Sequence, residues 1–145
     1  MYMLKLATTN DEILEFEQLR TKVFSRGKEL DSLEKSPYAR HIKNGDLLAF
    51  QCLKEGKQIG GMLLATDKNN IKIHRLFVEE KERSNGAGSF MLDYIYKHKE
   101  FFEDYYGLDL SGIIMEPLNS SVDFYFNNGY DYSGFQMYKQ YEKRK

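Results

Sequence analysis

Tryptophan is absent from this sequence, cysteine occurs once, and proline occurs only twice in 145 residues. One cysteine, Cys52, excludes an internal disulfide framework. It lies in the apolar run at residues 47–53 and reads as a small buried residue rather than a nucleophile. No apolar stretch approaches the ~20 residues that cross a bilayer, and residues 1–6 lack the long apolar core of a signal peptide. The expected location is therefore the cytoplasm. An excess of basic charge is missing too: 21 Lys and Arg against 22 Asp and Glu give a formal charge of −1. Residues 1–70 and the remainder are each close to neutral, and the one basic block is Lys143-Arg144-Lys145. Nucleic-acid binding calls for a basic face, and this composition does not advertise one.

What the chain does have is core material. Its hydrophobic fraction is 41% and its aromatic fraction 14%, which argues against general disorder. The length suits one domain over residues 1–145, with no repeat or Gly/Pro-rich linker to divide it.

Hydrophobic periodicity orders the elements. Residues 2–8 read as a strand. Thr9 or Asn10 caps a helix with Asp11 and Glu12 in its first turn, Ile13, Phe16, Leu19, Val23 and Phe24 on its apolar face, and Gly27 as its end. Residues 29–43 are a short helix or a loop. Strands follow at 46–54, 58–66 and 71–78, separated by the turns Glu55-Gly56-Lys57 and Asp67-Lys68-Asn69-Asn70. The third strand alternates until Leu76-Phe77-Val78, where three apolar residues run together; this predicts a bulge or burial on both faces. A helix is expected over 87–102, a strand over 108–115, and a short helix from Pro117 or Asn119 to Phe126, stopped by Asn127-Asn128-Gly129. One or two strands close the chain over 130–141. The crossover between the 71–78 and 108–115 strands makes them parallel. The fold class is α/β, with a mixed sheet flanked by helices.

The segment most informative about chemistry leaves one strand and opens a helix: Arg83-Ser84-Asn85-Gly86-Ala87-Gly88. A turn placed there aims several backbone N–H groups at one point, and the helix N-terminus adds partial positive charge, so phosphate can bind without side chains. Gly86 and Gly88 permit close approach of the backbone, and Arg83 can add a charge-assisted bond. A P-loop would need Lys and then Ser or Thr after the second glycine, but Ser89-Phe90 follows; a dinucleotide fingerprint would need a glycine where Met91 stands. Taken alone, Gly-x-Gly reads sooner as a turn that merely opens a helix.

The wider context is more specific. A strand, a few polar residues, Arg-x-x-Gly-x-Gly and an amphipathic helix together resemble the acyl-CoA signature of the GNAT acetyltransferase superfamily. The Leu76-Phe77-Val78 strand ending fits, and Phe124-Tyr125-Phe126-Asn127-Asn128-Gly129-Tyr130 is similar to that family's Phe-Tyr-x-x-x-Gly-Phe, with Tyr130 in the last place. The resemblance covers most of the chain. It implies acetyl-CoA as co-substrate, no metal, and a pantetheine arm inserted where the two parallel strands splay apart. It further implies that Arg83, Ser84, Asn85, Gly86, Ala87, Gly88 and Ser89 hold the pyrophosphate, that Phe77 and Val78 pair with the pantetheine, and that Asn119 touches the cofactor. Tyr125 would be the general acid; its alternative role is packing. His74, whose ordinary pKa of about 6.5 suits a base, and Glu116, at a strand end, are the two candidates for the base.

The acceptor site is expected from residues 20–41 and the tail strands. Asp31 and Glu34 could attract a cationic amine, although a solvated charged face is the commoner meaning of such residues. Two functions therefore compete: an N-acetyltransferase acting on a small-molecule or peptide amine by direct attack on the thioester, and a non-catalytic acyl-CoA-binding module or sensor. An interaction domain with an accidental loop is a third. Neither nucleic acid nor membrane is an expected partner, and a homodimer is left open.

Overall fold

The computed structural model describes residues 1–25 and 28–142. The chain opens with β1 (Tyr2–Leu6) and α1 (Asn10–Phe24). Thr9, not Asn10, is the cap. Its hydroxyl accepts from the Glu12 N–H at 3.1 Å, and the Glu12 carboxylate accepts from the Thr9 N–H at 3.1 Å, a reciprocal pair that satisfies two end-of-helix donors. The same carboxylate takes the Thr8 N–H and an ion pair from Lys5 Nζ at 2.7 Å, which ties β1 to α1. Lys5 first, and the backbone donors after it, hold the Glu12 carboxyl well down, at about 2. Ile13, Phe16 and Leu19 are buried as their spacing predicts, whereas Phe24 at the helix end is 40% exposed. Gly27, the expected helix end, and Lys143-Arg144-Lys145 lie outside the described residues.

Residues 29–43 resolve into a 3₁₀ turn (Leu33–Lys35) and α2 (Ala39–Lys43). An antiparallel meander follows: β2 (Leu48–Lys54), β3 (Lys57–Asp67) and β4 (Asn70–Val78). Its first hairpin turns on Glu55 and Gly56, both at positive φ, the twist that a two-residue hairpin requires. Cys52 in β2 is fully buried, and burial pushes its thiol up to about 11, which leaves it inert.

The helix expected over 87–102 is two helices, α3 (Ala87–Lys97) and α4 (Lys99–Tyr106). The break falls at His98, where both the backbone N–H and Nδ1 lie at 3.0 Å from the Tyr94 carbonyl and the ring stacks on Tyr94 at 4.0 Å. A side chain that engages the carbonyl its own amide needs favours an end over continuation. The chain then runs through β5 (Gly112–Met115), a 3₁₀ turn (Asn119–Ser121), α5 (Val122–Asn127), β6 (Asp131–Ser133) and β7 (Gln136–Gln140).

Among the described residues seven strands form one sheet in the order β1-β2-β3-β4-β5-β7-β6, in which only β4 and β5 are parallel. One face packs on Ile13, Phe16 and Leu19 of α1 and on α2; the other packs on Met91, Leu92 and Ile95 of α3 and Phe102 of α4. Two irregularities make the functional region. The parallel pairing covers only Asn70–Lys72 against Gly112–Ile114, so β4 continues for six residues with no partner on that side. Within that stretch β4 carries a bulge: Leu63 pairs with Arg75 and Leu64 with Ile73, leaving His74 as the extra residue. Before it, Ile71 and Ile73 enter the α3–α4 core; after it, Leu76 and Val78 do so while Phe77 joins the α1 core. The predicted break in alternation is real, and its cause lies two residues before Leu76.

The double bond between Thr9 and Glu12 should have a measurable weight. Thr9→Ala is expected to cost about 1 kcal/mol, a fall of roughly 2–5 °C in melting temperature. An unchanged thermal transition would mean that this cap contributes nothing to stability.

Candidate functional site

The connection from β4 to α3 is compact. A 3₁₀ turn at Glu80–Glu82 is followed by Arg83, whose Nε donates to the Val78 carbonyl at 3.1 Å and draws the turn back onto the strand end. Ser84 and Gly86 both take positive φ, +67° and +96°, and Gly86 is the N-cap of α3. The first helical bond runs from the Phe90 N–H to the Gly86 carbonyl at 2.9 Å, so the amides of Ala87, Gly88 and Ser89 precede it and are free of helical partners. Tyr2 fixes the turn from the side. Its hydroxyl donates to the Asn85 carbonyl at 2.8 Å, and its ring meets Phe90 at 5.6 Å.

Three carboxylates, Glu79, Glu80 and Glu82, belong to this turn, and two of them are paired: Glu82 with Lys54 at 3.2 Å and Glu79 with Lys81 at 3.6 Å. Gly88 has a packing reason beyond ligand approach, since a Cβ there would lie 2.8 Å from Cζ of Phe124 on α5. The glycine lets α5 close over the start of α3.

A cavity of about 680 Å³ runs from this turn along the unpartnered end of β4 to α5. Of the residues expected to hold the cofactor, Phe77, Val78, Arg83, Ser84, Gly86, Ala87, Gly88 and Ser89 line it. Asn85 does not. Asn119 is exposed and does not line this cavity; its neighbours Ser120 and Ser121 stand there instead. These serines escaped the sequence reading because polar residues just after a strand carry no signal of their own.

A second cavity, of about 560 Å³, adjoins the first and shares Phe24, Leu76, Leu118, Ser121 and Tyr125 with it. Tyr125 is 5% exposed, and burial raises its pKa above the ordinary phenol value of 10. The hydroxyl therefore stays protonated throughout the physiological range, as a weaker acid than an unperturbed phenol. His74 and Glu116 both line the second cavity, His74 half-buried on the bulge and Glu116 exposed just after β5. Burial lowers the His74 pKa below 6.5, and Arg75, Lys72 and Arg20 lower it further, so the imidazole is neutral near pH 7.

From the segment expected to bind the acceptor, Arg20, Phe24 and Ser25 reach the second cavity; the tail strands do not line it. Asp31 and Glu34 are exposed and outside its wall, and Asp31 pairs with Lys35 at 3.1 Å. They are the solvated charges of the plainer reading.

No protein-family model matches the sequence, and no curated protein matches it. Solved structures do. An acetyltransferase of the GNAT family from Staphylococcus aureus Mu50 superposes over 98% of this chain and 100% of its own, with a TM-score of 0.66 and 17% identity. The fold is that of the GNAT acetyltransferases. An aminoglycoside 6′-acetyltransferase type Ii shares the GNAT fold over 99% of both chains at a TM-score of 0.70 and 16% identity. N-acetylglutamate synthase from Neisseria gonorrhoeae, complexed with coenzyme A and L-arginine, matches 98% of this chain with 34% of its own, at 0.70 and 13%. Among the described residues no group of His, Cys, Asp or Glu could hold a metal, and no helix is long and apolar enough to cross a membrane.

The packing at Gly88 can be tested without any ligand. Gly88→Val should cost about 1–3 kcal/mol by pressing on Phe124, and Phe124→Leu added to it should restore part of the loss in thermal denaturation. If Gly88→Val melts with the wild type, the ring has room to withdraw and the packing reason for this glycine is lost.

Proposed function

We propose that this protein is an acetyl-CoA-dependent N-acetyltransferase. The observation that carries the reading is the position of Tyr125, which lines both cavities: one leads to the turn with free helix amides, the other to a polar chamber with His74 and Glu116. A turn with free helix amides, the unpartnered edge of β4 and a separate chamber, meeting at Tyr125, suit transfer of an acyl group from a long phosphorylated carrier. Coenzyme A in the neighbouring N-acetylglutamate synthase structure supports the choice of carrier.

The residues present fit that co-substrate. The amides of Ala87, Gly88 and Ser89, with Arg83 and Ser84, would take the pyrophosphate, because first-turn donors and a helix N-terminus favour an anion. The backbone of Phe77 and Val78 has no strand beside it on the β5 side, and what the Arg83 bond to the Val78 carbonyl leaves open there would bond the amides of the pantetheine arm as a missing strand does. In the reaction the amine nitrogen bonds to the acetyl carbonyl carbon, the carbon–sulfur bond breaks, and the departing thiolate takes a proton from Tyr125. The amine's own proton leaves through His74, or through Glu116 by way of water. His74, being neutral near pH 7, is already in the form that accepts it.

CoA should stabilise the folded protein. A ligand at 100 times its Kd that binds only the native state adds about 2.7 kcal/mol, or roughly 5–10 °C here. A melting curve unmoved by saturating CoA would remove the reading altogether. A shift without thiol release from acetyl-CoA, whatever amine is offered, would instead select the non-catalytic acyl-CoA-binding module.

Tyr125→Phe deletes one hydroxyl and little volume. CoA affinity should be retained, since the phosphate grip is elsewhere, while single-turnover acetyl transfer should fall by roughly 10²-fold, the lower range for a positioned proton donor. Single-turnover rates are needed because product release can mask the chemical step. Full activity in the Phe variant would return Tyr125 to a packing role beside Phe124 and Tyr130, whose rings lie 5.0 and 5.6 Å away.

A further inference from the structure

We propose that the acceptor is an amine that also bears an anionic group, carboxylate or phosphate, and that Lys72 and Arg75 hold this group in the second cavity. This deepens the acetyltransferase reading and rests on it. The charged wall of that cavity consists of Arg20, Lys72 and Arg75, with the half-buried His74, against a single carboxylate, Glu116. Arg20 is already neutralised: its Nε and Nη2 donate to the buried Glu17 carboxylate at 2.7 and 3.1 Å. Lys72 and Arg75 are not, for among the described residues no carboxylate lies within 4.0 Å of either.

The bulge brings the two cations together. In an unbroken strand Arg75 would follow Ile71 and Ile73 into the α3–α4 core; the extra residue His74 returns it to the face of α1, where Lys72 stands. Arg75 is also held in place. Its Nη1 donates to the His74 carbonyl at 2.7 Å, and its guanidinium lies over the rings of Phe24 at 5.8 Å and Tyr38 at 5.9 Å. A guanidinium fixed by two rings, with N–H groups left over, is preorganised for a planar or tetrahedral oxyanion. The positive field registers on His74, whose protonated form Arg75 and Lys72 both disfavour in addition to burial. A diamine entering here would meet two unpaired cations with only Glu116 to offset them.

The test uses matched acceptors that differ in the anionic group: β-alanine against β-alaninamide, and O-phosphoethanolamine against ethanolamine, with putrescine as the cationic control. At least one anionic member should exceed its uncharged partner by about tenfold or more in kcat/KM; the pair showing the larger ratio tells carboxylate from phosphate. Arg75→Gln should raise KM for that acceptor by roughly 10- to 100-fold, the loss expected for a hydrogen bond to a charged group. It should leave KM for the uncharged partner and for acetyl-CoA in place, which separates an acceptor role from a grip on the phosphates of CoA. Should Arg75→Gln fail to fold, Lys72→Gln carries the same comparison, because among the described residues Lys72 makes no side-chain bond that folding would miss. Calorimetric titration of β-alanine and O-phosphoethanolamine into the CoA-loaded protein reads the same site without turnover. Preference for putrescine or the uncharged partners, or no binding of either anion to a protein that does bind CoA, overturns the proposal and leaves the acetyltransferase reading standing. A protein that binds no CoA at all loses both.

Discussion

One extra residue in β4 governs what the sheet presents at its open fork. Without His74 as the bulged position, the strand beyond Ile73 would keep its phase, so that Arg75 and Phe77 entered the α3–α4 core. Phe77 would then be lost from its edge contact with Phe16 at 5.3 Å, and a guanidinium would be driven among Met91, Ile95 and Phe102 without a partner. Reversing the phase solves both problems. It also turns the unpaired stretch of β4 into a divided wall, with Leu76 and Val78 toward one core and His74 and Arg75 toward the chamber beneath α1, beside Lys72 at the end of the paired stretch. The early end of the β4–β5 pairing at Lys72 and Ile114 supplies the space, and the bulge decides its chemistry.

Periodicity was enough to read the element order and the parallel pair at the centre, because Ile71, Ile73 and the α3 positions Met91 and Ile95 obey their respective periods. Reading failed where one residue departs from a period for a local reason. His98 sits at a good helical position, and only its ring stacked on Tyr94 and its bond to the Tyr94 carbonyl reveal an end there. The bulge was visible only through its consequence, three apolar residues in succession, and so was placed late. Gly88 was legible as a glycine that something must approach; that Phe124 approaches it depends on how α5 closes over α3, which no local pattern encodes.

The candidate site divides along the same line. The turn proposed to take the pyrophosphate is contiguous in sequence, so its candidacy rests on six neighbouring residues. The second cavity, proposed to take the acceptor, is assembled from α1, β4 and the segment after β5, and no spacing rule unites Ser25, Lys72 and Glu116. Charge counting could not help either. The formal charge of −1 conceals a turn that carries Glu79, Glu80 and Glu82 yet leaves the first backbone amides of α3 without helical partners, and a chamber whose unpaired side chains among the described residues are mainly cationic. Asp31 and Glu34 attract attention in the sequence because they are charged, and the structure leaves them in solvent.

Burial links the acid and base proposed for the reaction. It is the leading cause of the raised pKa of Tyr125 and of the lowered pKa of His74. Removing water disfavours whichever form is charged, so one environment keeps the phenol protonated and the imidazole unprotonated. Those are the states in which the first can give a proton and the second can take one near pH 7. An ammonium brought into the same chamber is subject to the same penalty, which favours the free amine that must attack. An anionic group held by Lys72 and Arg75 fits this arrangement, since it would anchor the acceptor by a charge that plays no part in the proton transfers.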